Sequence, residues 1–197
     1  MKPPGLVVRA ADFEVQSVPT HGEVIRFLRC HHYAKGGPNT STYRHGMYRS
    51  DPAMRPFVGE LVGVALWIPP TRTVAESVAG EGWQGVLTLS RLAVAPEVGT
   101  NGASFLLGRS MRLIDRDRWP WLLTYADTGR GHTGAIYRAT NWTDMGDTDA
   151  GDTWLTPDGQ QVGRKRGGRT FLASDMIAAG LTLSAKAKKR KFVHHVA

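Results

Sequence analysis

The stretch VLTLSRLAVAPEVGTNGASFLLGRSMRLIDRDRWPWLLTYADTGRG, residues 86–131, decides the fold. Val86 to Val94 reads as a strand, interrupted in its middle by Ser90 and Arg91, and it runs into a strand-to-helix turn containing Gly99 and Gly102. From there Ala103, Leu106, Leu107, Ser110, Met111 and Ile114 form one stripe of 3.6-residue period. This predicts an amphipathic helix that ends in the charged segment Asp115 to Arg118. Trp121 to Ala126 reads as a buried strand ending at Asp127-Thr128-Gly129-Arg130-Gly131, and a short helix from His132 to about Ala139 follows. The order strand, glycine turn, helix, strand predicts a right-handed crossover with parallel pairing between the 86–94 and 121–126 strands. Functional residues are then expected where those strands end.

Upstream of this unit, Thr20-His21-Gly22-Glu23 has capping-box spacing, and Val24, Phe27, Leu28 and His31 follow at helical intervals. A helix over 21–31 is expected, delivering His31 and His32 to its end, with His31 continuing the apolar stripe into the core. The glycine-rich stretch 33–41 reads as a loop of functional length. Leu61 to Ile68 is a continuous apolar run stopped by Pro69-Pro70, which suits a strand buried on both faces, and a helix over 72–79 follows. The fold class is therefore α/β, a mixed and partly parallel sheet flanked by helices. One domain is expected over 1–183, with 184–197 as a basic, flexible tail.

An apolar fraction of 41% with 9% aromatics in 197 residues supplies one substantial core. No apolar window of about 18 residues exists to cross a bilayer, and the N-terminal residues lack a signal-peptide core, so a cytoplasmic protein without a membrane partner is expected. The single cysteine, Cys30, excludes an internal disulfide framework and a multi-cysteine zinc site. With 25 Lys and Arg against 17 Asp and Glu, the net charge of +8 favours polyanionic partners. Five of these charges, Lys186, Lys188, Lys189, Arg190 and Lys191, crowd one stretch, and Arg164-Lys165-Arg166-Gly167-Gly168-Arg169 forms a second run. Arg164, Lys165, Arg166, Arg169, Lys188, Lys189 and Arg190 are the candidate contacts to DNA phosphates. A solubilising hairpin and tail are the alternative reading.

Asp127 stands at the carboxyl end of a strand before a glycine turn, with Tyr125 and His132 beside it. Its carboxylate could accept a proton from, or orient, a weakly nucleophilic amine; the structural alternative is an Asx turn ordering Thr128-Gly129. Ser90 and Arg91 should point to opposite faces unless a bulge intervenes. Ser90 could meet a transferred group, whereas Arg91 could pair with phosphate or with Asp115 or Asp117. His32 and Asp127 are the candidate ligands of a divalent metal. Tyr43, Tyr48, Trp67 and Trp83 are candidates to stack on an extruded base or to fill the core. His194 and His195 read as solvated charge in the tail.

The 86–143 region resembles the core of the GCN5-related N-acetyltransferases. In that family the glycine turn and the helix N-terminus hold the coenzyme A pyrophosphate. The resemblance thus implies Gly99, Gly102 and Ala103 as cofactor-binding residues and acetyl-coenzyme A, or a related acyl or glycyl compound, as donor. It also implies Tyr137 as the acid that protonates the departing thiolate. The string Tyr125-Ala126-Asp127, then His132-x-Gly134-x-Ile136-Tyr137-x-Ala139-x-Asn141-Trp142, is similar to the Mom family of bacteriophage DNA-modification enzymes, with weaker likeness at Ser90-Arg91 and His31-His32-Tyr33. That resemblance implies transfer of an acetamido or carbamoylmethyl-type group to the N6 amine of adenine in double-stranded DNA, which would shield the DNA from restriction. It implies a catalytic set of Asp127, Tyr137, Ser90, His32 and Tyr125. Iron or another divalent metal would assist, and the base would be flipped out between the 31–45 loop and the 125–137 segment. An acyl-coenzyme A-dependent N-acetyltransferase of a small amine or protein, and a non-catalytic DNA-binding anti-restriction protein, are the competing readings.

Overall fold

Leu61–Ile68 forms strand β3, and the whole run from Val62 to Trp67 is buried, as its unbroken apolar sequence requires. The computed structural model describes residues 8–50, 59–149, 151–166 and 168–195. Around β3 the sheet is completed by β1 (Phe13–Ser17), β2 (Tyr43–Arg49), β4 (Val86–Val94), β5 (Trp121–Asp127), β6 (Thr143–Asp147) and β12 (Lys189–His195), in the order β1-β2-β3-β4-β5-β12-β6. β1 to β4 are antiparallel neighbours, and β4 and β5 are parallel. The connection between the parallel pair runs through α3 (Gly102–Arg112), the expected crossover helix.

α1 (His21–His31) starts as its sequence predicts, with the Thr20 hydroxyl accepting from the Glu23 amide at 3.4 Å. It buries Val24, Phe27 and Leu28, while α3 buries Leu106, Leu107 and Ser110. α2 (Arg72–Ala79) also lies where expected. Two helices are shorter than their patterns. α3 stops at Arg112 because the Asp115 carboxylate accepts from the amides of Asp117 at 3.1 Å and Arg118 at 3.2 Å, closing a turn of its own. The expected 132–139 helix is a single turn, α4 (Ala135–Arg138): Gly131 and Gly134 adopt φ of 73° and 79°, which no helix can include.

The chain gathers into two units where one domain over 1–183 was expected. The first comprises residues up to Thr124, Ala135–Asp144 and the residues from Phe192 onward; the second comprises Tyr125–Gly134 and Met145–Lys191. The second unit holds a three-stranded antiparallel sheet in the order β11-β7-β8, from Thr182–Ala187, Gly151–Leu155 and Gln161–Val162. It also holds a hairpin of β9 (Lys165–Arg166) and β10 (Arg169–Thr170), and the helix α5 (Ala173–Ala178). Its core is Trp154, Met176 and Leu181, flanked by Val162 and Phe171.

The 184–197 stretch is corrected by this topology. Its described residues are not a flexible tail: β11 and β12 occupy the stretch up to His195, and Phe192 and Val193 are buried, while 196–197 lie outside the described residues. Two apolar residues following a run of cations are enough to seat a strand when its neighbours supply the ladder. His194 and His195 are accordingly strand residues, His195 stacking on Trp121 at 3.8 Å between ring centroids. No helix among the described residues is long and apolar enough to cross a membrane.

One buried polar network ties the first unit together. His45 on β2 and Ser110 on α3 share a hydrogen bond of 2.7 Å, and the Trp67 indole donates to the same Ser110 oxygen at 2.8 Å. His45 is 1% exposed, and burial pushes its pKa down to about 4. The unfolded chain therefore binds the proton first, so stability is full above the ordinary histidine value near 6.5 and falls as pH drops toward 4. At about 1.4 kcal/mol per pKa unit the loss is about 3 kcal/mol. Unfolding midpoints of the parent and of His45→Gln across this window test it: the variant should show a flatter pH dependence, and equal slopes would remove His45 as the cause.

Candidate active site

The register of β3 against β4 pairs Leu66 with Arg91 and Trp67 with Leu89, leaving Ser90 as the extra residue of a β-bulge. Strict alternation between Ser90 and Arg91 is broken there. The parallel ladder between β4 and β5 covers only Val86–Thr88 against Trp121–Leu123. Just beyond its last pair, the Thr124 hydroxyl donates to the Leu89 carbonyl at 3.4 Å. The polar side chains that follow thus lie where the two strands are no longer zipped, in the first unit.

Arg91 is half-buried at this point. Its Nε donates to the Gly36 carbonyl at 2.9 Å, and its Nη1 donates to the Ser90 carbonyl at 2.7 Å and reaches the Ser90 hydroxyl at 3.5 Å. Neither Asp115 nor Asp117 pairs with it, and it has no carboxylate partner among the described residues. Burial presses its pKa down while the nearby Tyr33 opposes that shift. The loop after α1 is thereby fastened to the bulge by a guanidinium whose charge is uncompensated.

Tyr137, at the centre of α4, is 8% exposed and hydrogen-bonded to Thr124. Burial raises its pKa, the Thr124 hydrogen bond lowers it and Tyr33 raises it, for a net upward shift that keeps the phenol protonated. Its ring packs against Phe192 at 5.1 Å and Trp142 at 5.8 Å, which fixes the hydroxyl's direction. Tyr33 acts on both Arg91 and Tyr137. Ser90, Arg91, Thr124, Tyr137 and Tyr33 therefore form one polar neighbourhood. Thr124 is not among the sequence candidates and Tyr33 enters there only within the His31-His32-Tyr33 likeness; Thr124, a hydroxyl beside Tyr125 inside the run Trp121–Ala126, breaks an apolar strand, and that break is the available signal.

His32 caps α1 instead of facing an ion. Its Nδ1 accepts from the Ala34 amide at 3.1 Å and its ring stacks on Tyr33 at 4.4 Å. The metal assignment to His32 and Asp127 is not carried: among the described residues no group of three or more His, Cys, Asp or Glu side chains could hold a metal ion. His31, expected in the core, is exposed on the last turn beside Phe27, because the stripe it continues has left the sheet by then. Tyr48 and Trp67 are core residues, 4% and 0% exposed, and Trp83 lies under Arg72 at 5.1 Å.

Tyr125 and Asp127 end β5 and belong to the second unit. The Asp127 carbonyl accepts from the His132 amide at 3.2 Å, but its carboxylate does not cap the turn at Thr128–Arg130, so the Asx-turn alternative is not realised. Burial raises the Tyr125 pKa. All seven basic candidates lie in this same unit. Arg164 donates to the Phe171 carbonyl at 2.8 Å, Arg169 sits over the Phe171 ring at 5.4 Å, and Lys188, Lys189 and Arg190 straddle the junction of β11 and β12. Lys165 and Arg166 form the β9 edge of the hairpin.

The Val98–Ala103 turn delivers α3. A Cβ on Gly102 would meet Val98 at 2.7 Å, so packing, not only conformation, demands glycine there. The Gly102 amide is committed to the Gly99 carbonyl at 3.3 Å and the Asn101 carboxamide to the Val8 backbone, at 2.6 and 3.4 Å. The amides of Ala103 and Ser104 open an eleven-residue helix without acceptors inside it, which suits one anionic group. No Lys or Arg lies between Arg91 and Arg109, so this stretch itself offers backbone amides and no side-chain cation to an anionic group.

Solved structures similar to this chain include acetyltransferases. An apo agmatine N-acetyltransferase shares 13% identity at a TM-score of 0.53, covering 94% of this chain and 100% of that one. A Bacillus subtilis acetyltransferase in complex with CoA shares 9% at 0.52, covering 94% and 98%. The yncA protein of Salmonella typhimurium, solved with its cofactor acetyl-CoA, shares 8% at 0.53, covering 94% of each. At such identities the likeness is one of fold, and it makes this an acetyltransferase fold of the GCN5-related type. No curated protein sequence matches the chain. Residues 12–169, most of its length and the whole of the β4–α3–β5–α4 unit just described, match the Mom protein family, and the chain belongs to that family.

Proposed function

We propose that this protein is a transferase that places a small acyl- or carbamoylmethyl-type group on the N6 amine of adenine in double-stranded DNA, and so masks the DNA from restriction nucleases. The observation that carries this reading is the family membership over residues 12–169 on an acetyltransferase fold whose unzipped β4–β5 end collects Ser90, Arg91, Thr124 and Tyr137. The adenine amine is delocalised into its ring and is a poor nucleophile, so it needs a proton acceptor as its bond to the incoming carbon forms. Asp127, with its carboxylate uncommitted to the turn, fills that role, and Tyr125 beside it orients the base. Tyr137, kept protonated by burial, gives a proton to the leaving group as the old bond breaks. Arg91 and Ser90 face the charge that develops on the transferred group.

The donor class is an acyl-coenzyme A or a related acyl or glycyl compound: an acyl group would come from its activated carbonyl with loss of the thiolate, whereas a carbamoylmethyl group would come by attack of the amine on its methylene carbon with loss of the group attached there. Gly99, Gly102 and Ala103 shape the turn for its anionic end, with the amides of Ala103 and Ser104 as the donors of hydrogen bonds. Arg164, Lys165, Arg166, Arg169, Lys188, Lys189 and Arg190 hold the duplex by its phosphates, a sequence-independent contribution. The target base must leave the stack to reach any such site, as enzymes acting on exocyclic amines require.

Mass spectrometry of nucleosides from plasmid DNA recovered after expression tests the reading. The parent should yield a deoxyadenosine of increased mass, with an increment that identifies the group, and Asp127→Ala should lower its yield by at least about tenfold. An unmodified nucleoside pool from the parent in a host that makes acyl donors would overturn the proposal. Acetylation of a small amine by the same protein would then point to the ordinary acetyltransferase reading.

A further inference from the structure

At the C-terminal end of α3 the first unit carries a pocket of about 460 Å³, lined among others by Arg112, Arg116, Thr140, Asn141 and His194. Arg112 is ten residues along the helix from Gly102, about 15 Å of axial rise, so this pocket is separate from the turn that opens the helix. Its volume lies within the range of small-molecule sites. Its basic side chains are Arg112, Arg116 and His194, beside small, polar and apolar neighbours. No carboxylate contributes to it, and neither arginine has an ion-pair partner among the described residues.

The local hydrogen bonding is incomplete in the same direction. Arg116 donates through Nη2 to the Pro120 carbonyl at 3.1 Å, but its Nε is buried without a partner. The Trp142 Nε1 and the His194 Nδ1 are also buried and unpartnered, and the two rings meet edge to face at 5.8 Å. Buried polar nitrogens left without partners are uncommon and costly, and here they accompany two guanidinium groups without ion-pair partners among the described residues. Arg112 in the last turn of α3 gains something from the helix dipole. Arg116, beyond the helix end, does not. Burial first, then the neighbouring Arg116 and His195 charges, push the His194 pKa down against a backbone hydrogen bond that raises it.

An acceptor-rich anion with several oxygens answers these features together: charge for two arginines, lone pairs for their forked N–H groups, and room for the group that bears it. We propose that the pocket at the end of α3 is a second anion site, distinct from the acyl-donor turn, which takes a phosphoryl group through Arg112 and Arg116. The phosphoryl group belongs either to a nucleic-acid backbone or to a free phosphorylated small molecule. The proposal does not rest on the assignment of adenine as substrate.

The full chain and its R116Q variant are compared for binding of inorganic phosphate by calorimetry, and of a short DNA duplex across a salt series. The parent should bind phosphate, and R116Q should bind it at least about tenfold more weakly while unfolding at the same temperature in phosphate-free buffer. If the source is the backbone, R116Q also lowers the salt slope of duplex binding by about one and phosphate competes with the duplex. If the source is a small molecule, phosphate binding is lost while the slope is unchanged. Phosphate binding that is absent in the parent, or equal in parent and variant, overturns the site. Should R116Q fail to fold, R112Q, whose side chain is exposed at the helix end, provides the same comparison.

Discussion

Replacing Tyr137 by Phe is expected to lower the rate of the proposed adenine modification by about 10²-fold or more, the usual range for loss of a positioned general acid, while the protein stays folded. The substitution keeps the ring, and with it the contacts to Phe192 and Trp142. It removes a hydroxyl bonded to Thr124, whose own hydroxyl still donates to the Leu89 carbonyl, so the cost to stability is about 1 kcal/mol. Because burial raises the Tyr137 pKa, the phenol is protonated throughout the neutral range. The deficit of the variant should therefore be constant from pH 6 to 9, to within a factor of about two, whereas an ionising acid would make it shrink as pH rises. Thr124→Val is expected to cost less, about tenfold, since it frees the Tyr137 hydroxyl without removing it. Timed digestion of modified DNA to nucleosides measures all three proteins. A Tyr137→Phe protein working at the parent rate would take Tyr137 out of the chemistry and leave it as a core residue.

What the sequence reveals here follows from the range over which each interaction acts. β3 and α1 were legible to the residue, because a two-faced apolar run and a capping box are local patterns read by neighbouring backbone. So was the β4–α3–β5 crossover, whose polarity follows from chain order alone. The bulge at Ser90 was not, since it is a mismatch of register between β3 and β4, set by residues some 25 positions apart in the chain. The grouping of Tyr33, Arg91, Thr124 and Tyr137 depends on that bulge and on where the β4–β5 ladder stops, so single-residue motifs found only some of its members. His45, Ser110 and Trp67 sit on three elements, and nothing local marks them as partners. The second unit is built from strands of two to six residues, too short to show a period, and its cations dominated the reading of a stretch that folds as sheet.

Phe192 separates these two views of the C-terminal residues most sharply. Were 184–197 a solvated tail, Phe192→Ala would change stability by no more than about 0.5 kcal/mol. In the structure its side chain is 0% exposed, between the Tyr137 ring at 5.1 Å and the Arg138 guanidinium at 5.3 Å. Truncation to Ala should then cost about 3–5 kcal/mol, the range for a fully buried Phe, and lower the unfolding midpoint by about 10 °C. Lys189→Ala, on the same strand but exposed, should leave the midpoint within about 1 °C. The effect also reaches the chemistry, because the face of Phe192 is one wall of the Tyr137 site. Phe192→Leu keeps most of the apolar volume but lets the phenol tilt, so its rate of modification should fall severalfold more than its stability loss explains. Calorimetric or fluorescence melts beside the nucleoside assay resolve the two contributions. If Phe192→Ala melts with the parent, β12 does not hold the sheet and the wall behind Tyr137 is not Phe192.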